Sequence, residues 1–147
     1  MSTATYQKLK VQVQLVREVP QDRPPCESPD DVCQLVKQEL AKADRERCLS
    51  LMLDARNRVI GIEEVSVGSL NANILHPREI FKSAILANAA AIILAHNHPS
   101  GSMDPSDEDL TITKRIQEAG KILGIDVVDH VIVGADGVTS FKEKALI

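Results

Sequence analysis

The sequence predicts an α/β fold: a single-domain sandwich with helices packed on a curved, mostly antiparallel mixed sheet. Three observations point there. Some stretches alternate apolar and polar residues, the mark of a half-buried strand, while others repeat apolar residues at helical spacing. The two kinds of stretch are mixed along the chain, which suits layers of helix against sheet. The length of 147 residues suffices for one domain with a substantial core.

The elements follow in order. Leu9, Val11, Val13 and Leu15 alternate with Lys10, Gln12 and Gln14, which reads as a strand with one wet face. Residues 19–25, with three prolines, read as a linker, so 1–27 is expected to be an N-terminal strand and Pro-rich linker ahead of a domain over 28–147. Ser28 then caps a helix with Pro29 and Asp31 in its first turn and Val32, Leu35, Val36 and Leu40 as its buried stripe. Cys48–Leu53 and Val59–Ser66 read as antiparallel strands joined around residues 55–58, and Gly68–Asn73 as a loop or short strand. Pro77 opens a second helix, with Ile80, Phe81, Ala84 and Ile85 toward the core, and His76 could cap it. The apolar run Ala89–Ala95 is a buried strand stopped by Pro99 and Gly101. A third helix carries Ile112, Ile116, Ala119 and Leu123 on one face and ends at Gly124. Val127–Val133 and Gly137–Phe141 are the last strands.

Composition narrows the function classes. The formal net charge is −4, with no basic block of the kind that neutralises a phosphate backbone. The positive residues Lys8, Lys10, Arg45, Arg47, Arg56 and Arg58 read as solvated surface. Without Trp and with a single Tyr, the chain lacks an aromatic platform for stacking bases. No secretory signal or long apolar span is visible, so the expectation is a soluble cytoplasmic protein without a membrane partner. Three widely spaced cysteines argue against a disulfide framework or a Cys-based metal site. Cys33 and Cys48 read as small core residues, and Cys26 as an exposed thiol. The first strand could lie at a sheet edge and pair with a second copy, giving a homodimer.

The chemistry concentrates after the buried strand, in His96-Asn97-His98-Pro99-Ser100-Gly101 followed by Ser106 and Asp109. Side chains alternate along a strand, so His96 and His98 are expected on the same face. Two imidazoles with a carboxylate from the next helix would leave a zinc ion one open position for water, the arrangement of a catalytic site. Zinc so bound lowers the pKa of that water from about 15.7 toward roughly 7. A nearby carboxylate would then move the water's proton, and a hydroxyl would stabilise the oxyanion. Ser106-Asp107-Glu108-Asp109 equally matches a helix capping box, with Pro105 at the first helical position and Asp104 as an alternative cap. Taken alone, the pair therefore also has a purely structural explanation.

His96-x-His98-Pro99 with Ser106-x-x-Asp109 resembles the JAMM motif of JAB/MPN metallopeptidases. The longer run through Gly101 and Pro105, with residues 53–60, 68–72 and 76–79, resembles the bacterial RadC family from about Ser28 to the C-terminus. The resemblance implies a JAB/MPN, cytidine-deaminase-like fold; periodicity alone does not select that topology. It implies His96, His98 and Asp109 as zinc ligands, Ser106 as the oxyanion hydroxyl, and Glu46 as general acid/base, with Glu63 and Glu64 as weaker competitors. His130, in an apolar strand, reads as a core histidine; a hydrogen bond from Asp129 or His130 to a ligand is a further option.

Three functions compete. One is a zinc-dependent metallopeptidase or isopeptidase acting on a peptide or protein substrate. Another is a DNA repair or recombination accessory, which rests on the family's traditional name; the acidic charge and the strand-and-linker start, in place of the helix-hairpin-helix segment of longer RadC-like proteins, count against nucleic acid as a partner. The last is an inactive MPN-like scaffold, which the intact ligand set disfavours.

Overall fold

The computed structural model describes residues 5, 7, 22–40, 43–68 and 75–147. The strand expected over Leu9–Leu15, with Lys8 and Lys10, lies outside the described residues, as does most of the loop expected over Gly68–Asn73.

Among the described residues, three helices and five strands run in the order α1 (Pro29–Leu40), β1 (Arg47–Leu53), β2 (Val59–Val67), α2 (Pro77–Leu86), β3 (Ala91–His96), α3 (Asp107–Leu123), β4 (Asp126–Val133) and β5 (Val138–Ser140). They build one mixed sheet, β2-β1-β3-β4-β5. Every neighbouring pair is antiparallel except β3 and β4, which are parallel. That exception follows from α3, whose length lets the chain cross over the sheet and return in the same direction.

The core is double. Ile80, Phe81 and Ala84 of α2 and Ile112 and Ile116 of α3 pack on Cys48, Met52, Ile92 and Leu94. On the opposite face Val32, Val36 and Leu40 of α1 cover Leu49, Leu51, Leu53, Ile93, Ala95, Val131 and Val133. Strands β1 and β3 are central and covered on both faces, so their sequences are nearly continuous apolar runs rather than alternations. The turn between β1 and β2 is tied by Asp54, whose Oδ1 accepts from the backbone N–H groups of Arg56 and Arg58 at 2.9 and 3.0 Å.

The expected stripes need two corrections. Ile85 and Leu123, both expected in the core, are 51% and 47% exposed. On α3 the buried ridge follows i, i+4 spacing through Ile112, Ile116 and Gly120 and leaves Leu123 outside it. A Cβ at Gly120 would lie 2.3 Å from the Ile125 carbonyl oxygen, so glycine there lets the helix end pack closely against the chain entering β4. Ile85, Ile122 and Leu123 together form an exposed apolar patch where α2 meets α3.

Cys26 is also corrected: it is buried, with its backbone N–H bonded to the Asn57 carbonyl at 2.8 Å. Here residues 23–25 of the expected linker run beside the β1–β2 turn, where Pro25 pairs with Arg58. Pro105 precedes the N-cap rather than opening α3, because Ser106 itself is the cap. His76 occupies the cap position of α2 without a side-chain capping bond. Among the described residues, no helix is long and apolar enough to cross a membrane.

Candidate metal centre

Strand register brings the centre together. Cys48 of β1 lies opposite His96 at the end of β3. Glu46, two residues before Cys48, therefore falls on the face that His96 occupies. That face is covered by α3, whose first turn supplies Asp109.

His96 is the last residue of β3, and His98 lies beyond the strand. Their rings still converge, with the Nε2 atoms 3.0 Å apart. Strand alternation, the basis of the expectation, does not extend to His98. Its ring is set instead by a 2.9 Å contact between Nδ1 and the Ser102 carbonyl oxygen. A carbonyl can only accept, so Nδ1 carries the proton and the neutral ring has a bare Nε2.

Asp109 Oδ2 lies 3.1 Å from His98 Nε2 and 3.4 Å from His96 Nε2. Glu46 Oε1 lies 3.8 Å from each of the same two nitrogens. Glu46, His96, His98 and Asp109 thus form a group that could hold a metal ion, with one ligand atom from each, all within 4.8 Å of one another. His96 and Asp109 are buried, while Glu46 and His98 are partly open to solvent. Neither Glu63 nor Glu64 belongs to the group, and Glu64 is paired with Arg47.

Ser106 and Asp109 also make the capping box that their spacing suggested. The Asp109 N–H donates to Ser106 Oγ at 3.0 Å, and the Ser106 N–H donates to Asp109 Oδ2 at 2.9 Å. The structural and metal-binding readings of the pair are therefore compatible: the cap fixes Asp109 in the rotamer that faces the histidines. Burial alone would raise the Asp109 carboxyl, but hydrogen bonding and charge from His96 when that ring is protonated, with the Ser106 donors, hold it well below the usual carboxylate range. Cys48 beside them is an inert core thiol, raised by burial and by the neighbouring Glu46 and Asp109 carboxylates.

Three residues outside the expected site list support it. Asn97, between the histidines, is buried and turns its side chain to the backbone on either side of Glu46. His130, expected as a core histidine, is buried and stacked on Phe141, yet its Nε2 lies 2.6 Å from His96 Nδ1. Burial, then the neighbouring His96, hold its pKa well below the ordinary histidine value. Thr113 closes the row, 2.6 Å from His130 Nδ1. Asp129 serves elsewhere and accepts from Ser140 Oγ and from the His130 and Lys142 N–H groups.

A family model for the RadC-like JAB domain matches residues 26–146. The chain belongs to this family. It is 53% identical over 119 residues to a protein named UPF0758 from Desulforamulus reducens, covering 81% of this chain and 52% of that one. A UPF0758 protein of Desulfitobacterium hafniense matches over the whole of this chain at 46% identity, which is 66% of its own length. One from the archaeon Methanosarcina acetivorans is 45% identical over 120 residues, covering 82% of this chain and 52% of its own. The chain spans between half and two thirds of the length of these relatives.

The donor set of this RadC-like domain suits a metal ion. Ligand atoms on one tetrahedral zinc, at bond lengths of about 2.0 Å, lie roughly 3.3 Å apart. The three contacts among His96, His98 and Asp109 run from 3.0 to 3.4 Å, and Glu46 stands slightly farther out.

Proposed function

We propose that this RadC-like domain is a zinc-dependent hydrolase of the metallopeptidase or isopeptidase type, carried by residues 28–147, with 1–27 as an N-terminal strand and Pro-rich linker. One observation carries the reading: two imidazole nitrogens and two carboxylate oxygens converge within 4.8 Å, half buried in the fold. Four such atoms held together favour a positive charge among them, which a bound metal ion supplies.

His96, His98 and Asp109 would hold the zinc, which supplies a Lewis acid and brings the pKa of a water from about 15.7 toward roughly 7. Glu46, farther out and more open to solvent, takes the proton from the attacking water and returns it to the leaving amine. The Ser106 hydroxyl accepts from the Asp109 N–H and keeps its own hydrogen for the carbonyl oxygen of the scissile bond, where negative charge builds. The substrate is a peptide or a protein with an isopeptide link.

The test is hydrolysis of a panel of peptide and isopeptide-linked substrates by the zinc-loaded chain. Turnover that is lost on chelation, and that falls about 10²- to 10⁴-fold in a Glu46→Gln variant still holding zinc, supports the reading. A Glu46→Gln variant as active as the parent contradicts the role of Glu46. No turnover across the panel contradicts the hydrolase.

A further inference from the structure

The row of buried contacts behind His96 has a direction. Thr113 Oγ1 lies 2.6 Å from the Asp109 backbone carbonyl and 2.6 Å from His130 Nδ1. The carbonyl can only accept, and the hydroxyl has a single proton, so Thr113 donates to Asp109. His130 must then donate from Nδ1 to Thr113. A neutral His130 protonated at Nδ1 has a bare Nε2, and that atom sits 2.6 Å from His96 Nδ1. The proton in this last contact therefore comes from His96. One carbonyl oxygen thus sets the sense of three hydrogen bonds in series, and the series ends with the His96 Nε2 lone pair facing His98 and Asp109.

We propose that His130 and Thr113 are positioning residues that fix the tautomer of the neutral His96 ring, leaving its Nε2 as the bare ligand atom. The role of the ion rests on the metallohydrolase reading; the order of the protons is a property of the chain itself.

Burial and packing make the row stiff. His96, Thr113 and His130 are all fully buried, so water cannot substitute for a missing partner. Phe141 stacks on the His130 ring at a centroid distance of 4.4 Å, and its backbone N–H bonds to the His130 carbonyl at 2.9 Å. The ring is thereby clamped between a side chain from the end of the sheet and the first turns of α3. Because the carbonyl at the head of the row belongs to Asp109, the helix that supplies one ligand also sets the proton on another.

Thr113→Val tests this with little change of shape, and Thr113→Ser keeps the hydroxyl. Thr113→Ala removes the same hydroxyl and serves if the valine variant fails to fold. Imidazole ¹⁵N NMR of the full chelator-treated chain, at alkaline pH where histidine is neutral, reads the tautomers directly. A competition titration with zinc alone reads the affinity. The expected result is that the parent and Thr113→Ser carry their protons on Nδ1 of both His96 and His130. Thr113→Val should move protons to Nε2 and weaken zinc about 10- to 100-fold, the usual cost of losing an outer hydrogen bond to a ligand. Parental tautomers and parental affinity in a folded Thr113→Val overturn the proposal. A parent that binds zinc but carries the His96 proton on Nε2 when metal-free also overturns it and leaves the metal site standing. A parent with the ordered protons and no zinc affinity supports the row and sinks the metallohydrolase reading instead.

Discussion

The Asn97 carboxamide holds the backbone of Arg47, accepting from its N–H at 2.7 Å, and donates at the same time to the Arg45 carbonyl at 3.0 Å. Arg45 and Arg47 flank Glu46, so a residue lodged between the two histidines also fixes the carboxylate opposite them. The end of the same loop is held from the other side, where the Gly68 N–H donates to the Glu46 carbonyl at 2.6 Å. Asn97→Ala frees the segment without touching a nitrogen or oxygen of the candidate site. Zinc affinity is expected to stay near the parental value while kcat falls about 10²-fold, the scale of a misplaced reacting group. Isothermal titration with zinc, beside kcat, separates the two. Equal loss of affinity and turnover would show that Asn97 supports the whole site rather than Glu46.

Ser106 has a demonstrable structural task and a proposed chemical one, and two substitutions divide them. Ser106→Ala removes the cap and should cost about 0.5–2 kcal/mol in urea unfolding. Ser106→Asp keeps a good capping oxygen and so should keep stability, but it has no hydroxyl proton to donate. If the serine donates to the oxyanion, turnover of Ser106→Asp should fall about 10²- to 10³-fold at parental stability. Full turnover in that variant would confine Ser106 to capping.

Cys26 gives a pH prediction away from the site. Burial, with the nearby Asp31, pushes its thiol up to about 11. Both effects disfavour the thiolate, so the reactive form is scarce at neutral pH and grows as pH approaches that value. At pH 8 about one thiol in a thousand is ionised. Alkylation of Cys26, followed by peptide mass mapping against exposed-thiol controls, should be slow at pH 8 and accelerate about tenfold per pH unit. Rapid labelling at neutral pH would contradict the burial.

What the sequence made legible follows the range of the interactions. Ser106 and Asp109 announce a cap because capping is local, and Gly124 announces the end of α3 for the same reason; both form as their spacing suggests. The alternation of helix and strand likewise carried the mixed sheet. The position of Glu46 beside His96 depends on the β1–β3 register, which joins Cys48 to His96, 48 residues apart, and leaves no periodic trace. Only the family resemblance pointed to it. His130 reads as core, with a hydrogen bond to a ligand only as an option, because burial and support of the site coincide there. Ile85 and Leu123 show the opposite limit. Apolar spacing gives a face, but where the neighbouring helix ends decides how far along that face burial extends.

The measurement that bears most directly on the central claim is metal content per chain, by elemental analysis after purification without chelator. The parent should be compared with His98→Ala and Asp109→Ala, with circular dichroism to confirm that each is folded. The expected result is near-stoichiometric zinc in the parent and its loss in both variants. A parent without zinc even after the metal is added back, or folded variants that keep it, would contradict a zinc centre built on His96, His98 and Asp109.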